Sequence, residues 1–321
     1  MRSRGFFPAV GLALIFSGNG LPAADGEHLP LAELAADYGF SLSMESAGVV
    51  SFCSDLHRLS FRTDSREMRF DGVLVHLNGP ALHRSRWLVT ADDVETVLEP
   101  LLSNEARHRA APPLTVILDP GHGGEDSGAV GRGGILEKDL VLDIARCVRR
   151  RLRGCGAKVR LTRERDRALE LDARTSLARD WGADAFVSIH LNAAASVGAN
   201  GVETYVLPAA GYPSTSGGTN DKHAHPGNRY DRASILLACY VQKGILAATG
   251  ADDRGVRRAR YELLREAPCP AILVECGFVT NPADGANLAR RHYRERIARG
   301  IAEGVLTFIG RAVETRAKAA P

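Results

Sequence analysis

From Leu114 to the end of the last long helix the chain keeps one rhythm, a short apolar strand and then an amphipathic helix, and that rhythm leaves few folds open. Residues 114–118 form an unbroken apolar strand. Residues 137–152 carry Leu140, Val141, Ile144, Val148 and Leu152 on one helical face, closed by Gly154. Strands are predicted over 158–161, 185–189, 201–207 and 271–274, and helices over 169–181, 233–249 and 284–309. Strands alternating with helices bury their apolar faces best as a mostly parallel sheet covered on both sides. The expected class is therefore α/β, a three-layer α/β/α unit.

The first third follows another pattern. A helix over 31–38 is followed by closely spaced strand-like pieces at 40–44, 49–52, 56–61, 68–70, 73–77 and 87–90, then a helix over 91–102. Such spacing predicts a small, mostly antiparallel α+β domain. Pro112 and Pro113 close a natural linker. The expected division is a leader at 1–24, an accessory domain at 25–103, a linker at 104–113, the large domain at 114–312 and a tail at 313–321.

The leader has the grammar of a secretory signal. Arg2 and Arg4 precede an apolar run from Phe6 to Phe16, and Leu21-Pro22-Ala23-Ala24 supplies small residues for cleavage. That run, interrupted by Pro8, is shorter than the ~20 residues a bilayer span needs. Export to the periplasm or the extracellular space is expected, with no stable membrane span in the mature chain. Lys and Arg number 41 against 38 Asp and Glu, a net charge of +3, too weak a field to suggest nucleic acid as a partner. Six cysteines without a CxxC pair leave bridges and buried free thiols both open.

Three polar residues fall at equivalent places. The strand over 114–118 runs into Asp119-Pro120-Gly121-His122, the strand over 185–189 ends at His190, and the strand over 271–274 ends at Glu275. In open α/β sheets ligands bind outside the carboxyl ends of the strands, so all three arrive at one rim. Glu137 opens the helix after a Gly-rich loop. A carboxylate there is favoured by the helix dipole alone, by ~0.3 to 1 kcal/mol, yet the loop is free enough to bring it beside His122. Two imidazoles and a carboxylate suit zinc and leave a fourth position for water, although the same donors also accept iron, cobalt or manganese. If residues 274–276 continue the strand, Cys276 points away from Glu275 as a buried thiol. Asn192 is a candidate for binding substrate or orienting the loop, with a turn-capping side chain as the alternative.

The segments "VILDPGHGGEDSGAVGRGGILEKDLVLDIA", "LDARTSLARDWGADAFVSIHLNAAAS", "GVETYVL" and "DRGVRRARYELLREAPCPAILVECGFVTNPAD" closely resemble successive motifs of the zinc-dependent N-acetylmuramoyl-L-alanine amidases of the amidase type 3 family. The resemblance implies one zinc held by His122, Glu137 and His190, with Glu275 as the catalytic carboxylate. It further implies hydrolysis of the amide between the lactyl group of N-acetylmuramic acid and L-alanine in peptidoglycan, for wall remodelling or daughter-cell separation. Arg163 and Arg174 match family positions; ion pairs with Glu164, Asp166 or Asp172 are the alternative. "DGVLVHLNGPALHRSRWLVTADDVETVLEPLL" resembles the copper amine oxidase N-terminal-like domain, a noncatalytic module, and His57, His76 and His83 lack ligand-like spacing for copper.

In some relatives an insert after the strand at 201–207 carries a helix that blocks the metal until an activator protein withdraws it. Here the stretch is short and Gly-rich, and no such helix is expected; it reads as a solvated loop, with a further zinc contact from His223 and His225 in a closed state as the alternative. Two rivals stand beside the amidase: a catalytically inactive peptidoglycan-binding or regulatory protein on the same fold, and a zinc carboxypeptidase or endopeptidase cutting within the stem peptide.

Overall fold

The structure is a computed structural model that describes residues 27–46, 48–103, 114–218 and 220–319; the expected leader and linker lie outside the described residues. The chain enters through β1 (His28–Pro30) and α1 (Leu31–Asp37). Antiparallel strands β2 (Ser41–Ser46), β3 (Val49–Cys53), β4 (Arg58–Arg62), β5 (Ser65–Phe70) and β6 (Val73–His83) then follow in spatial order. Their period of two turns Val50, Phe52, Leu59, Phe61, Met68, Phe70 and Val75 into one core. Strand β7 (Trp87–Thr90) pairs with β1 and β6, and α2 (Ala91–Asp93) passes through a π-helical stretch at Val94–Leu98 into α3 (Glu99–Leu102).

The larger part contains β8 (Thr115–Pro120), α4 (Glu137–Gly154), β9 (Lys158–Leu161), α5 (Leu171–Asp180), β10 (Ala185–Asn192), β11 (Val202–Val206), α6 (Asp231–Thr249), β12 (Asp253–Arg258), α7 (Glu262–Arg265), β13 (Ala271–Phe278), α8 (Pro282–Ala289) and α9 (Arg291–Ala319). Strand order is β9-β8-β10-β13-β11-β12. Strands β9, β8, β10 and β13 run parallel to one another, while β11 runs antiparallel to β13 and β12 parallel to β11. One face carries α4 and α6 with α9 against them, and the other carries α5 and α7 over a smaller core of Ile117, Phe186 and Leu273. This is the expected α/β class with an antiparallel unit in front.

Three features differ from expectation. Strand β12 has no apolar alternation; its three arginines are held extended by pairing with β11 on one side and, at Val256 opposite Val75, with β6 on the other. That pairing makes one continuous sheet of both parts. Fully buried Arg258 fastens the junction, donating to the carbonyls of His76 (3.1 Å) and Leu207 (3.2 Å), with Asp93 and Asp231 as countercharges. Finally, the single helix expected over 284–309 is two. Asn281 caps α8 by accepting from the amides of Ala283 and Asp284, extended Arg290 breaks the run, and α9 continues to Ala319 through most of the expected tail.

Candidate metal centre

Strand ends and one loop bring His122, Glu137 and His190 together, with one ligand atom from each lying within 4.8 Å of the others. Glu137 Oε1 sits 3.1 Å from His122 Nε2 and 3.0 Å from His190 Nδ1. Its carboxylate also accepts from the backbone amides of Leu191 (2.9 Å, at Oε1) and Ala129 (2.8 Å, at Oε2). Glu137 is buried, whereas the two imidazoles are half-buried and face a cleft of about 370 Å³ that Glu275, Asn192 and Tyr261 also line.

The approach demands glycine at two positions. A Cβ at Gly121 would overlap the His190 ring, and one at Gly128 would lie 2.6 Å from both Glu137 Oε2 and His122 Cδ2. Gly128 also has φ of +63°, in the left-handed region. His122 itself takes a φ of +56°. Such backbone costs on the order of 1–3 kcal/mol and persists only where the surroundings fix it.

Two buried arginines do the fixing. Arg174 donates to the carbonyls of Pro120 (3.0 Å) and His122 (2.9 Å), and Arg163 to those of Pro120 (2.9 Å), Gly121 (2.7 Å) and Lys138 (2.8 Å). Asp119, wholly buried, pairs with Arg174 at 2.8 Å and accepts from Thr162 and Ser188. The alternative partners Glu164, Asp166 and Asp172 are occupied elsewhere: Glu164 takes Arg149, Asp166 takes Lys138 and the Gly124 amide, and Asp172 accepts from the amide of Ala173. Asp126 Oδ2 lies 2.7 Å from His122 Nδ1, leaving Nε2 toward the centre. Asp119 and Asp126 were not among the site residues expected from sequence, although Asp126 stands only four positions beyond His122.

The donor set suits a divalent cation. Burial alone would raise the Glu137 pKa, but hydrogen bonds with His122 and His190 and with the Leu191 amide hold it well below the usual carboxylate range. Burial alone would lower His122, but Glu137 and then Asp126 outweigh it and push it up to about 9. A divalent cation taking these same nitrogen and oxygen donors would displace the protons they hold, so binding would be favoured as pH rises. The centre keeps an open side toward the cleft, as a catalytic site requires.

Glu275 lies opposite His190 on the neighbouring parallel strand and opposite Glu203 on the antiparallel one. Its Oε2 is buried without a hydrogen-bond partner among the described residues. Burial, helped by Glu137 and Glu203 and opposed by the two histidines, pushes it up to about 7. An unpartnered buried carboxyl oxygen in a cleft is unusual and makes Glu275 a candidate functional residue. Cys276 points the other way into the core, its thiol pushed well up by burial. Asn192 has both ends engaged, Nδ2 donating to Glu203 at 2.6 Å and Oδ1 accepting from Ala193 N at 2.8 Å. His223 and His225 are not part of the metal group; His225 pairs with Asp221 at 3.1 Å. All six cysteines are free thiols.

The profile of a family described as N-acetylmuramoyl-L-alanine amidase matches residues 116–307. The chain is 34% identical over 212 residues to the amidase LytC of Bacillus subtilis, covering 65% of this chain and 39% of that protein. It is 33% identical over 217 residues to AmiA of Escherichia coli, covering 60% and 75%. Among solved structures, the amidase AmiC2 of Nostoc punctiforme matches 63% of this chain and 99% of its own at 36% identity, with a TM-score of 0.54. Residues before 116 lie outside the family match.

Proposed function

The chain belongs to the N-acetylmuramoyl-L-alanine amidase family, and from that premise we propose that it is a zinc amidohydrolase that cuts the amide between the lactyl group of N-acetylmuramic acid and L-alanine in peptidoglycan. One observation carries the reading: a three-donor cluster and an unpartnered buried carboxyl share a single cleft. His122, Glu137 and His190 would hold one zinc. When bound, zinc supplies Lewis acidity to the scissile carbonyl and to the attacking water. Glu275 accepts the water's proton at its free oxygen and returns it to the departing nitrogen of L-alanine. Burial suits both halves of that task, because a carboxyl poised near neutrality gives up and takes a proton with similar ease. Asn192, with both ends bonded to protein, supports an orienting role for the loop after β10 more than direct contact with substrate.

The leader supports export, to the periplasm or the extracellular wall space, where wall remodelling or cell separation would call on such an enzyme. No described helix is long and apolar enough to cross a membrane. The division at 104–113 remains our proposal, with the front unit a noncatalytic accessory domain of the copper amine oxidase N-terminal-like kind. Among the described residues of 208–230 the helical piece is a 3-10 turn at Pro226–Tyr230, which does not line the cleft. This supports a site that needs no partner to uncover it, and an activator protein would have to act by another route.

Digestion of purified peptidoglycan, read by mass spectrometry, tests the reading. New L-alanine amino termini and peptide-free glycan are expected. Cleavage inside the stem peptide would indicate an endopeptidase or carboxypeptidase instead, and binding without cleavage would indicate the inactive wall-binding rival.

A further inference from the structure

Beyond the metal centre the same rim carries charge that hydrolysis does not use. Strand β11 runs antiparallel to β13 and β12 runs with β11, so Glu203 and Arg254, each the second residue of its strand, come to the rim where β8, β10 and β13 deliver the metal-centre residues. Glu203 is buried, and its Oε1 accepts from Asn192 (2.6 Å) and from the hydroxyl of Tyr205 (2.8 Å). Its Oε2 takes Nε of Arg254 at 2.8 Å and lies 3.6 Å from Arg257. One carboxylate thus faces two guanidiniums, both partly exposed.

Arg257 is the incompletely bonded member. No side-chain hydrogen bond is formed by it among the described residues beyond that long ion pair, and its Nε is buried without a partner. Neither arginine lines the cleft, and with five donors and one long ion pair the partly exposed Arg257 guanidinium has donors left over for a ligand in place of water. The pair connects to the cleft through Asn192, which lines it, and through Tyr205, whose ring meets cleft-lining Tyr261 edge-on at 5.2 Å. From β13 to β12 is two strand spacings, about 10 Å, the reach of roughly three residues of extended peptide.

The cleft has a second lobe of about 310 Å³ on the opposite side of His122 and His190, and its charged groups differ. Asp126 and Glu170 line it, and its one arginine, Arg174, is committed to Asp119. That lobe disfavours an anion. On the β13 side the cleft itself is lined by Glu137, Glu275 and exposed Glu262, and the two arginines stand outside that lining, on β12 beyond Glu203.

We propose that Arg254 and Arg257 form a carboxylate-binding subsite for the peptide on the leaving side of the scissile amide, so that the peptide lies over β13, β11 and β12 and the sugar in the lobe beside α5. The proposal rests on the amidase reading above and adds to it an orientation and a preference. A substrate with a free carboxylate within three residues of the cleaved bond makes charge-assisted bonds to Arg257 that the matching carboxamide cannot.

Steady-state kinetics on two muropeptides that differ by a carboxylate against a carboxamide at the residue after L-alanine test it, with Arg257→Gln and Arg257→Lys beside the wild type. Wild type is expected to favour the carboxylate by on the order of tenfold or more in kcat/KM, since a hydrogen bond to a charged group is stronger than one to a neutral amide. Arg257→Gln should bring that ratio close to one, mainly through KM, and Arg257→Lys should restore part of it. A wild type without preference, or an Arg257→Gln that lowers both substrates in equal proportion, overturns the subsite while leaving the amidase reading intact. A wild type that cuts neither muropeptide at the N-acetylmuramic acid to L-alanine bond overturns the amidase reading itself.

Discussion

Replacing Arg174 by methionine removes the donor that holds the carbonyl of His122 and strips Asp119 of its ion-pair partner. Both groups are buried, with side-chain exposures of 4% and 0%. Removing one member of such a pair costs about 3–5 kcal/mol, against the roughly 5–15 kcal/mol that keeps a domain folded. The variant should therefore fold but melt well below the wild type. Positioning is a separate effect. His122 keeps a left-handed backbone only while its neighbours enforce it, and Arg163 continues to hold Pro120 and Gly121. The residual grip limits the loss of zinc affinity to the 10- to 100-fold typical of groups that orient a ligand, or about 1.4 to 2.8 kcal/mol. Competition with a chromophoric chelator measures the affinity, and thermal unfolding of the zinc-free protein measures the stability. Adding Asp119→Asn separates the two effects. Neutralising the orphaned carboxylate should return part of the stability, but the carbonyl of His122 stays unheld and zinc affinity should stay low. A double variant that regains both together, or a folded Arg174→Met that binds zinc as tightly as wild type, would falsify the positioning argument.

Three further outcomes follow from the same geometry. Glu275→Gln should lower kcat by about 10² to 10⁴ while zinc content is unchanged; lost zinc would make Glu275 a ligand instead of a proton carrier. The base must be ionised, and burial raises Glu275 to about 7 while a bound cation pulls it down, so kcat/KM should rise with pH along a limb whose midpoint lies between the ordinary value of about 4.3 and about 7. A rate that falls across that interval contradicts the assignment. Gly121→Ala should displace the His190 ring, costing about 1–3 kcal/mol of overpacking and at least tenfold in zinc affinity by the same chelator titration, and unchanged affinity would remove the steric account.

How much of this was legible depended on where the determining partner lay. His190 and Glu275 could be read because a polar residue that interrupts an apolar run is a local signal and sheet topology brings such residues to a shared rim, although β10 runs on to Asn192 and β13 to Phe278, past the ends expected from sequence. Glu137 was readable only in conjunction, since a carboxylate opening a helix has an electrostatic reason to be there without a metal. The Asp119–Arg174 pair was hidden: the two stand 55 positions apart and nothing local distinguishes a buried ion pair from surface charge. Strand β12 was hidden for a related reason, its extended form coming from β6 and β11 on either side and its Arg258 buried by a carboxylate of the front unit. The same contact explains why a clean boundary in sequence became a continuous sheet in three dimensions. Asn192 illustrates a third case, in which substrate binding, loop orientation and turn capping were all chemically sound and only the neighbours, Glu203 and Ala193, favour a role within the protein.

The most direct trial of the account follows zinc per chain and muropeptide cleavage in one sample through chelation and stepwise replenishment. Cleavage at the L-alanine amide is expected to vanish with the metal and to return in proportion, complete at one zinc per polypeptide. Undiminished cleavage by the zinc-depleted protein would contradict the claim that His122, Glu137 and His190 build a catalytic metal centre.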